Sequence, residues 1–129
     1  MSTILIVDDN KDDIELTEIA LEVARPEVKV KVAVSGEAAL KYLREGGDMP
    51  ALILLDLKMC GMSGIETLQE IRADARINKI PVVVVTSSSL ESDEKEAYAA
   101  GANGYLHKAL NLKQFSKDIT SLLDCWVPN

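Results

Sequence analysis

Short aliphatic runs alternate along the chain with longer stretches in which apolar residues return every three or four positions. That texture predicts a parallel sheet buried on both faces by helices. Thr3 to Val7 reads as a first strand. Asn10 then offers an N-cap with Asp13 three residues on, and Leu16, Ile19, Ala20 and Val23 mark the apolar side of a helix that should stop before Pro26. From Val28 to Val34 valine alternates with lysine, which predicts an outer strand with its lysines in water. Ser35 caps a second helix over Gly36 to Glu45, and Gly46-Gly47 breaks it.

Ala51 to Leu55 is almost purely aliphatic, as a central strand requires. Gly61 to Gly64 reads as a flexible loop before a helix from Ile65 to about Ala73, whose turns are marked by Ile65, Leu68, Ile71 and Arg72. Ile80 to Val85 predicts a fourth strand, with Pro81 where a strand start tolerates it. Ser87 to Ser89 form a loop, Leu90 to Ala100 a helix, and Gly101 its C-cap. Gly104 to His107 is a short fifth strand, and Asn111 caps a last helix carrying Leu112, Phe115, Ile119 and Leu122, with Trp126 beyond it. Right-handed crossovers turn this (βα)5 string into an open, doubly wound, flavodoxin-like α/β sheet in the order 2-1-3-4-5.

Composition narrows the classes. A chain of 129 residues is the size of one domain, so residues 1–129 are expected to form a single unit. With 47% apolar and 27% charged residues, and no apolar run near the roughly 18 residues of a membrane span, a soluble cytoplasmic protein is expected. No signal peptide fits ahead of the first strand. A net charge of −7 opposes contact with a phosphate backbone, so direct nucleic-acid binding is disfavoured. Cys60 and Cys125 lie far apart and suggest neither a zinc site nor a disulfide framework.

In such a sheet, ligands bind beyond the carboxyl ends of the strands. The first strand ends in Asp8-Asp9, the third in Asp56, the fourth in Thr86 and the fifth in Lys108, so acid, hydroxyl and amine groups should converge on one rim. Clustered carboxylates either raise a pKa or bind a cation, and oxygen donors suit Mg2+ or Mn2+. Asp56, at the end of a rigid strand, is the candidate nucleophile. Lys108 and Thr86 are placed to neutralise phosphoryl oxygens.

These residues carry a resemblance. Ile4 to Asn10, Leu54 to Met59 with Gly61-Met62-Ser63-Gly64, Pro81 to Thr86, and Gly101-Ala102 with Tyr105 to Lys108 resemble the receiver domains of two-component response regulators over essentially the whole chain. The likeness extends to stand-alone, chemotaxis-type receivers, including those paired with phytochrome-type or other hybrid kinases. It implies that Asp9, Asp56 and the backbone carbonyl of Lys58 ligate the metal, with Asp8 acting through metal-bound water. It implies that Asp56 accepts a phosphoryl group from a sensor histidine kinase or phosphotransfer protein. Thr86 would then swing toward the acyl phosphate and Tyr105 would turn inward. That shift would repack the surface of the fourth helix, fifth strand and fifth helix, where a target protein or a second copy binds. The chain ends soon after the fifth helix, so output is expected to pass through another protein rather than an attached domain.

One departure is Ala109, which stands where the family has proline after the lysine. A cis Lys108-Ala109 bond would cost roughly 2.5–4 kcal/mol, so either the site holds it cis or the loop relaxes to trans. Lys58 and Ser88, each two residues beyond a site residue, are candidates for setting the lifetime of the phosphoryl group. His107, alone in a short strand, is expected to serve structure, whereas Trp126 could cover the core edge or anchor a partner. Two other classes are weaker. A phosphohydrolase of the haloacid dehalogenase type needs Asp-x-Asp, and neither Asp8-Asp9-Asn10 nor Asp56-Leu57-Lys58 supplies the second acid. A phosphorylation-independent interaction module would have no use for the complete set of acids, hydroxyl and lysine.

Overall fold

The computed structural model describes residues 2–108 and 111–128. Five parallel strands, β1 (Thr3–Val7), β2 (Lys29–Ala33), β3 (Leu52–Leu55), β4 (Val82–Thr86) and β5 (Gly104–His107), pair in the order β2-β1-β3-β4-β5. Helices α1 (Lys11–Ala24), α2 (Gly36–Arg44), α3 (Gly64–Ala73), α4 (Glu91–Ala99) and α5 (Leu112–Trp126) follow the strands in turn. The doubly wound order is the expected one. None of these helices is long and apolar enough to cross a membrane.

Both faces of the sheet are dry. On one, Ile4, Ile6, Leu52, Leu54, Val83 and Val85 pack against Leu21 of α1 and Phe115, Ile119 and Leu123 of α5. On the other, Leu5, Val7, Ile53 and Leu55 pack against Leu40 and Leu43 of α2 and Leu68 and Ile71 of α3. α4 is held far more thinly, with Ala97 its one buried residue. β2 lies at an edge with Lys29 and Lys31 exposed, as its alternation predicts.

Three local expectations shift. α1 buries Ile14, Thr17, Ala20 and Leu21, leaving Ile19 and Val23 exposed. Its inner face is turned because Thr17 can enter the core once its hydroxyl donates to the Asp13 carbonyl, 2.9 Å away. α3 begins at Gly64 beneath a reciprocal cap in which Ser63 and Glu66 each accept the other's backbone N–H. α5 buries Leu123 rather than Leu122, leaves Leu112 exposed, and runs far enough to include Trp126 in its last turn. The Lys108-Ala109 bond lies outside the described residues.

Strand register places the site. Val7 pairs with Leu55, so Asp8 and Asp56 leave neighbouring strands at the same level. Thr86 pairs with His107, which brings Lys108 to that rim, with its N–H donating to the Thr86 carbonyl at 2.8 Å.

Candidate functional site

Asp56 follows β3 and is held from below by its own N–H, which donates to the Val7 carbonyl at 2.9 Å. The start of α3 presses against it so closely that a Cβ on Gly64 would stand 2.2 Å from the Asp56 carbonyl oxygen. Only glycine permits this approach, so Gly64 belongs to the setting of Asp56 and not to a loose loop. The Asp56 side chain is 8% exposed. Burial pushes its carboxyl above the usual carboxylate range. Lys108 opposes that push, nearby Asp8 adds to it, and hydrogen bonds from the Lys58 backbone and the Thr86 side chain oppose it again.

Lys108 occupies the centre. Its Nζ donates to Asp8 Oδ2 at 3.0 Å and to Asp13 Oδ2 at 2.9 Å, and lies 3.6 Å from Asp56 Oδ2. Burial alone would lower its pKa. The hydrogen bond to Asp13, the charge of Asp56 and the contact with Asp8 together outweigh burial, and the ammonium is held above its ordinary value. Carboxylate oxygens of Asp8, Asp13 and Asp56 lie within 4.8 Å of one another. An all-oxygen set of this size fits a hard divalent cation.

The acids gathered here differ from the expected group. Asp13, first read as a residue of the capped turn, joins Asp8 and Asp56. Asp9 is exposed and turns its carboxylate to the Cys60 amide, 2.8 Å away, tying the end of β1 to the loop after β3. Reading along the chain misses Asp13 because its contact with Lys108 spans 95 positions.

Thr86 is fully buried, and its Oγ1 accepts from the Ser88 N–H at 3.2 Å. Ser88 is a junction. Its carbonyl lies 3.5 Å from the Tyr105 hydroxyl, and its own hydroxyl donates to Asp93 of α4. Asp93 also pairs with Lys58 Nζ at 3.3 Å, and its carboxyl is held below the usual range, first by the Ser88 hydroxyl. Tyr105 is half-buried against Leu57, Val84 and Ala97. Lys58 and Ser88 are thus linked through Asp93, which no motif singles out. His107 is exposed, its ring nitrogen 3.1 Å from the Ser87 carbonyl. Trp126 packs half-buried at the core edge, and both cysteines are free and exposed.

The family model for the response regulator receiver domain matches residues 4–120. The chain belongs to that family. Among receivers, response regulator Rcp1 of Synechocystis sp. is 34% identical over 129 residues, an alignment covering 96% of this chain and 88% of Rcp1. A crystal structure of Rcp1 in its Mn2+-bound form superposes with a TM-score of 0.85 at 33% identity, covering 98% and 95% of the two chains. The phosphorylated cyanobacterial phytochrome response regulator RcpA gives a TM-score of 0.88 at 35% identity, with 98% and 94% covered. The bacteriophytochrome response regulator RtBRR gives 0.78 at 42% identity, with 95% and 78% covered. This receiver is therefore a component of two-component signalling, a class built around an aspartyl phosphate.

Proposed function

We propose that this receiver is a phosphorylation switch, not an enzyme that turns over a substrate, and that Asp56 is the phosphoacceptor. The observation that carries this is the Asp56 carboxylate at the carboxyl rim of the sheet, with the Lys108 amine 3.6 Å away and the buried Thr86 ending the neighbouring strand β4. A carboxylate oxygen of Asp56 forms the new O–P bond with a phosphohistidine donor. The donor P–N bond breaks, and its electron pair returns to the imidazole. Lys108 and Thr86 meet the charge on the phosphoryl oxygens.

Asp9, Asp56 and the Lys58 carbonyl, with Asp8 acting through metal-bound water, are the groups that would hold Mg2+ or Mn2+, which when bound neutralises the transferring group. That the related response regulator Rcp1 has a Mn2+-bound form supports a divalent cation at this site. The donor is a sensor histidine kinase or phosphotransfer protein in the cytoplasm. The names of RcpA and RtBRR favour a kinase of the phytochrome type.

Signal leaves through α4-β5-α5. Modification at Asp56 draws Thr86 toward the phosphoryl group. Ser88 and Tyr105, hydrogen-bonded in series with Thr86, then move with it. The thin packing of α4 makes it the element able to respond. Tyr98, Leu106, Leu122 and Trp126 line a groove on this face for a target protein or a second copy. The Lys58–Asp93–Ser88 link restrains the mouth of the site and extends the phosphoryl lifetime. An unchanged dephosphorylation rate in Lys58→Asn would count against that role.

The decisive experiment is incubation with a small phosphodonor and Mg2+, followed by intact-mass measurement. Wild type should gain one phosphoryl group and Asp56→Ala none. Equal labelling of the two would remove Asp56 from its role.

A further inference from the structure

We infer that Asp13 is a positioning residue for phosphoryl acceptance, holding the Lys108 ammonium from the α1 side so that one of its N–H groups remains for the incoming phosphoryl oxygen. The inference rests on Asp56 being the acceptor. An ammonium has three donors and no acceptor. Two of them reach Asp8 Oδ2 and Asp13 Oδ2 at hydrogen-bonding distance, whereas Asp56 Oδ2, at 3.6 Å, lies beyond it. The amine is thus braced by two carboxylates beside the acceptor and has one donor uncommitted among the described residues.

Asp13 is built to brace. It stands in the first turn of α1, where the Asn10 side chain accepts its N–H at 3.0 Å and its carbonyl accepts the Thr17 hydroxyl. A site group carried on a helix is placed more accurately than one on a loop. Its carboxylate is 35% exposed, against 6% for Asp8 and 8% for Lys108, so it approaches the amine from the solvent side. Exposed ion pairs are weak, but here the cation end is buried and held by a second carboxylate, Asp8.

The division of labour follows from charge. A divalent cation held by Asp9, Asp56 and the Lys58 carbonyl, with Asp8 acting through its bound water, would compete with Lys108 for the Asp8 and Asp56 oxygens. Asp13 is then the carboxylate left to compensate the ammonium. With Asp13 gone, Lys108 would be repelled by the cation just as its charge is needed at the acceptor, and a displacement of about 1 Å can cost about a hundredfold in rate. The competing assignment makes Asp13 a ligand of the cation itself, since the three acids lie close enough to share one.

The two assignments separate when affinity and rate are measured on the same proteins. Wild type, Asp13→Ala, Asp13→Asn and Asp56→Asn would be titrated with Mn2+ by calorimetry. Each would then be followed by intact mass over time with acetyl phosphate and Mg2+. A positioning role predicts Mn2+ affinity within about threefold of wild type for both Asp13 variants, beside a loss of more than about tenfold in Asp56→Asn. Acceptance should slow about tenfold in Asp13→Ala and less in Asp13→Asn, which keeps an oxygen acceptor for the amine. An undiminished rate in Asp13→Ala overturns the inference. So does a Mn2+ loss in Asp13→Asn equal to that in Asp56→Asn. Absence of any phosphoryl gain in wild type would instead sink the acceptor assignment on which all of this rests.

Discussion

Lys108 and Arg72 are both cations drawn into the protein, at opposite ends of the sheet, and their surroundings could hardly differ more. Arg72, at the end of α3, spreads its guanidinium over neutral oxygens: the carbonyls of Gly101, Asn78 and Ile80 and the side chain of Asn103, all within 3.1 Å. Asn103 passes the link on by accepting the Val82 N–H, so one side chain ties α3, the entry to β4 and the turn into β5. No carboxylate takes part among the described residues, and burial pulls the Arg72 pKa down unopposed. Lys108 has three carboxylates around one ammonium, and their charge reverses the pull of burial. A cation matched to neutral partners is a cross-link. A cation outnumbered by acids marks a place where negative charge exceeds what the protein itself can balance, and such a place is made for a second cation or for chemistry.

The sharpest way to break this contrast is Lys108→Ala. Phosphoryl acceptance should fall by about 10²–10³-fold, the usual cost of losing one group that stabilises transition-state charge. Stability in chelator should fall too, because Asp8, Asp13 and Asp56 then face one another uncompensated, and saturating Mg2+ should restore most of it by binding the folded form. Acceptance near the wild-type rate, or a stability loss that Mg2+ leaves untouched, would place Lys108 in the same class as Arg72.

The part of this contrast that was legible beforehand is the part that strand ends encode. Aliphatic runs set the sheet, period and punctuation set the helices, and the polar residue after each run had to lie on the carboxyl rim. Asp8, Asp56, Thr86 and Lys108 were therefore readable. Asp13 is not, because its role depends on which way a helix faces, and the spacing of Ile19 and Val23 points to a face of α1 that the fold leaves exposed. Asp93 escaped for a related reason: α4 carries almost no apolar signal, so nothing oriented its acids toward Lys58 and Ser88. The Ser63–Glu66 cap was written in the chain, but the neighbouring glycines suggested a loop. Arg72 looked like one more turn of an amphipathic helix, since its carbonyl partners are backbone groups that no side-chain pattern announces.

Arg72→Ala tests the other pole. It should cost about 2–3 kcal/mol in chemical denaturation, since three part-buried carbonyls lose a charged donor at once. The deficit should be the same with and without Mg2+, and acceptance should stay within about twofold of wild type under conditions where the variant is folded. Arg72→Lys should recover little, because an ammonium cannot span oxygens arranged for a planar fork. A deficit that Mg2+ corrects would connect this end of the sheet to the site and erase the distinction.

The smallest effect lies in the acids, and it should change sign between the two ends. In chelator, the folded chain holds the Asp56 proton more tightly than the unfolded chain does, since the folded pKa is raised above 3.8. This group therefore adds stability as pH falls through its raised value, and the gain is complete once pH is below 3.8. Asp74, beyond α3, behaves oppositely. Arg76 and then Arg44 hold its carboxyl down to about 2, so its contribution is full above 3.8 and disappears as pH falls toward 2. Asp56→Asn should flatten the acid-side gain, and Asp74→Asn the acid-side loss. Salt separates them further. The Arg76 partner of Asp74 is 69% exposed, so about 0.5 M NaCl should screen most of its slope, whereas Asp56, its side chain only 8% exposed, should keep its own. Parallel slopes in the two variants, equally sensitive to salt, would mean that burial does not set the Asp56 carboxyl apart from an ordinary surface acid.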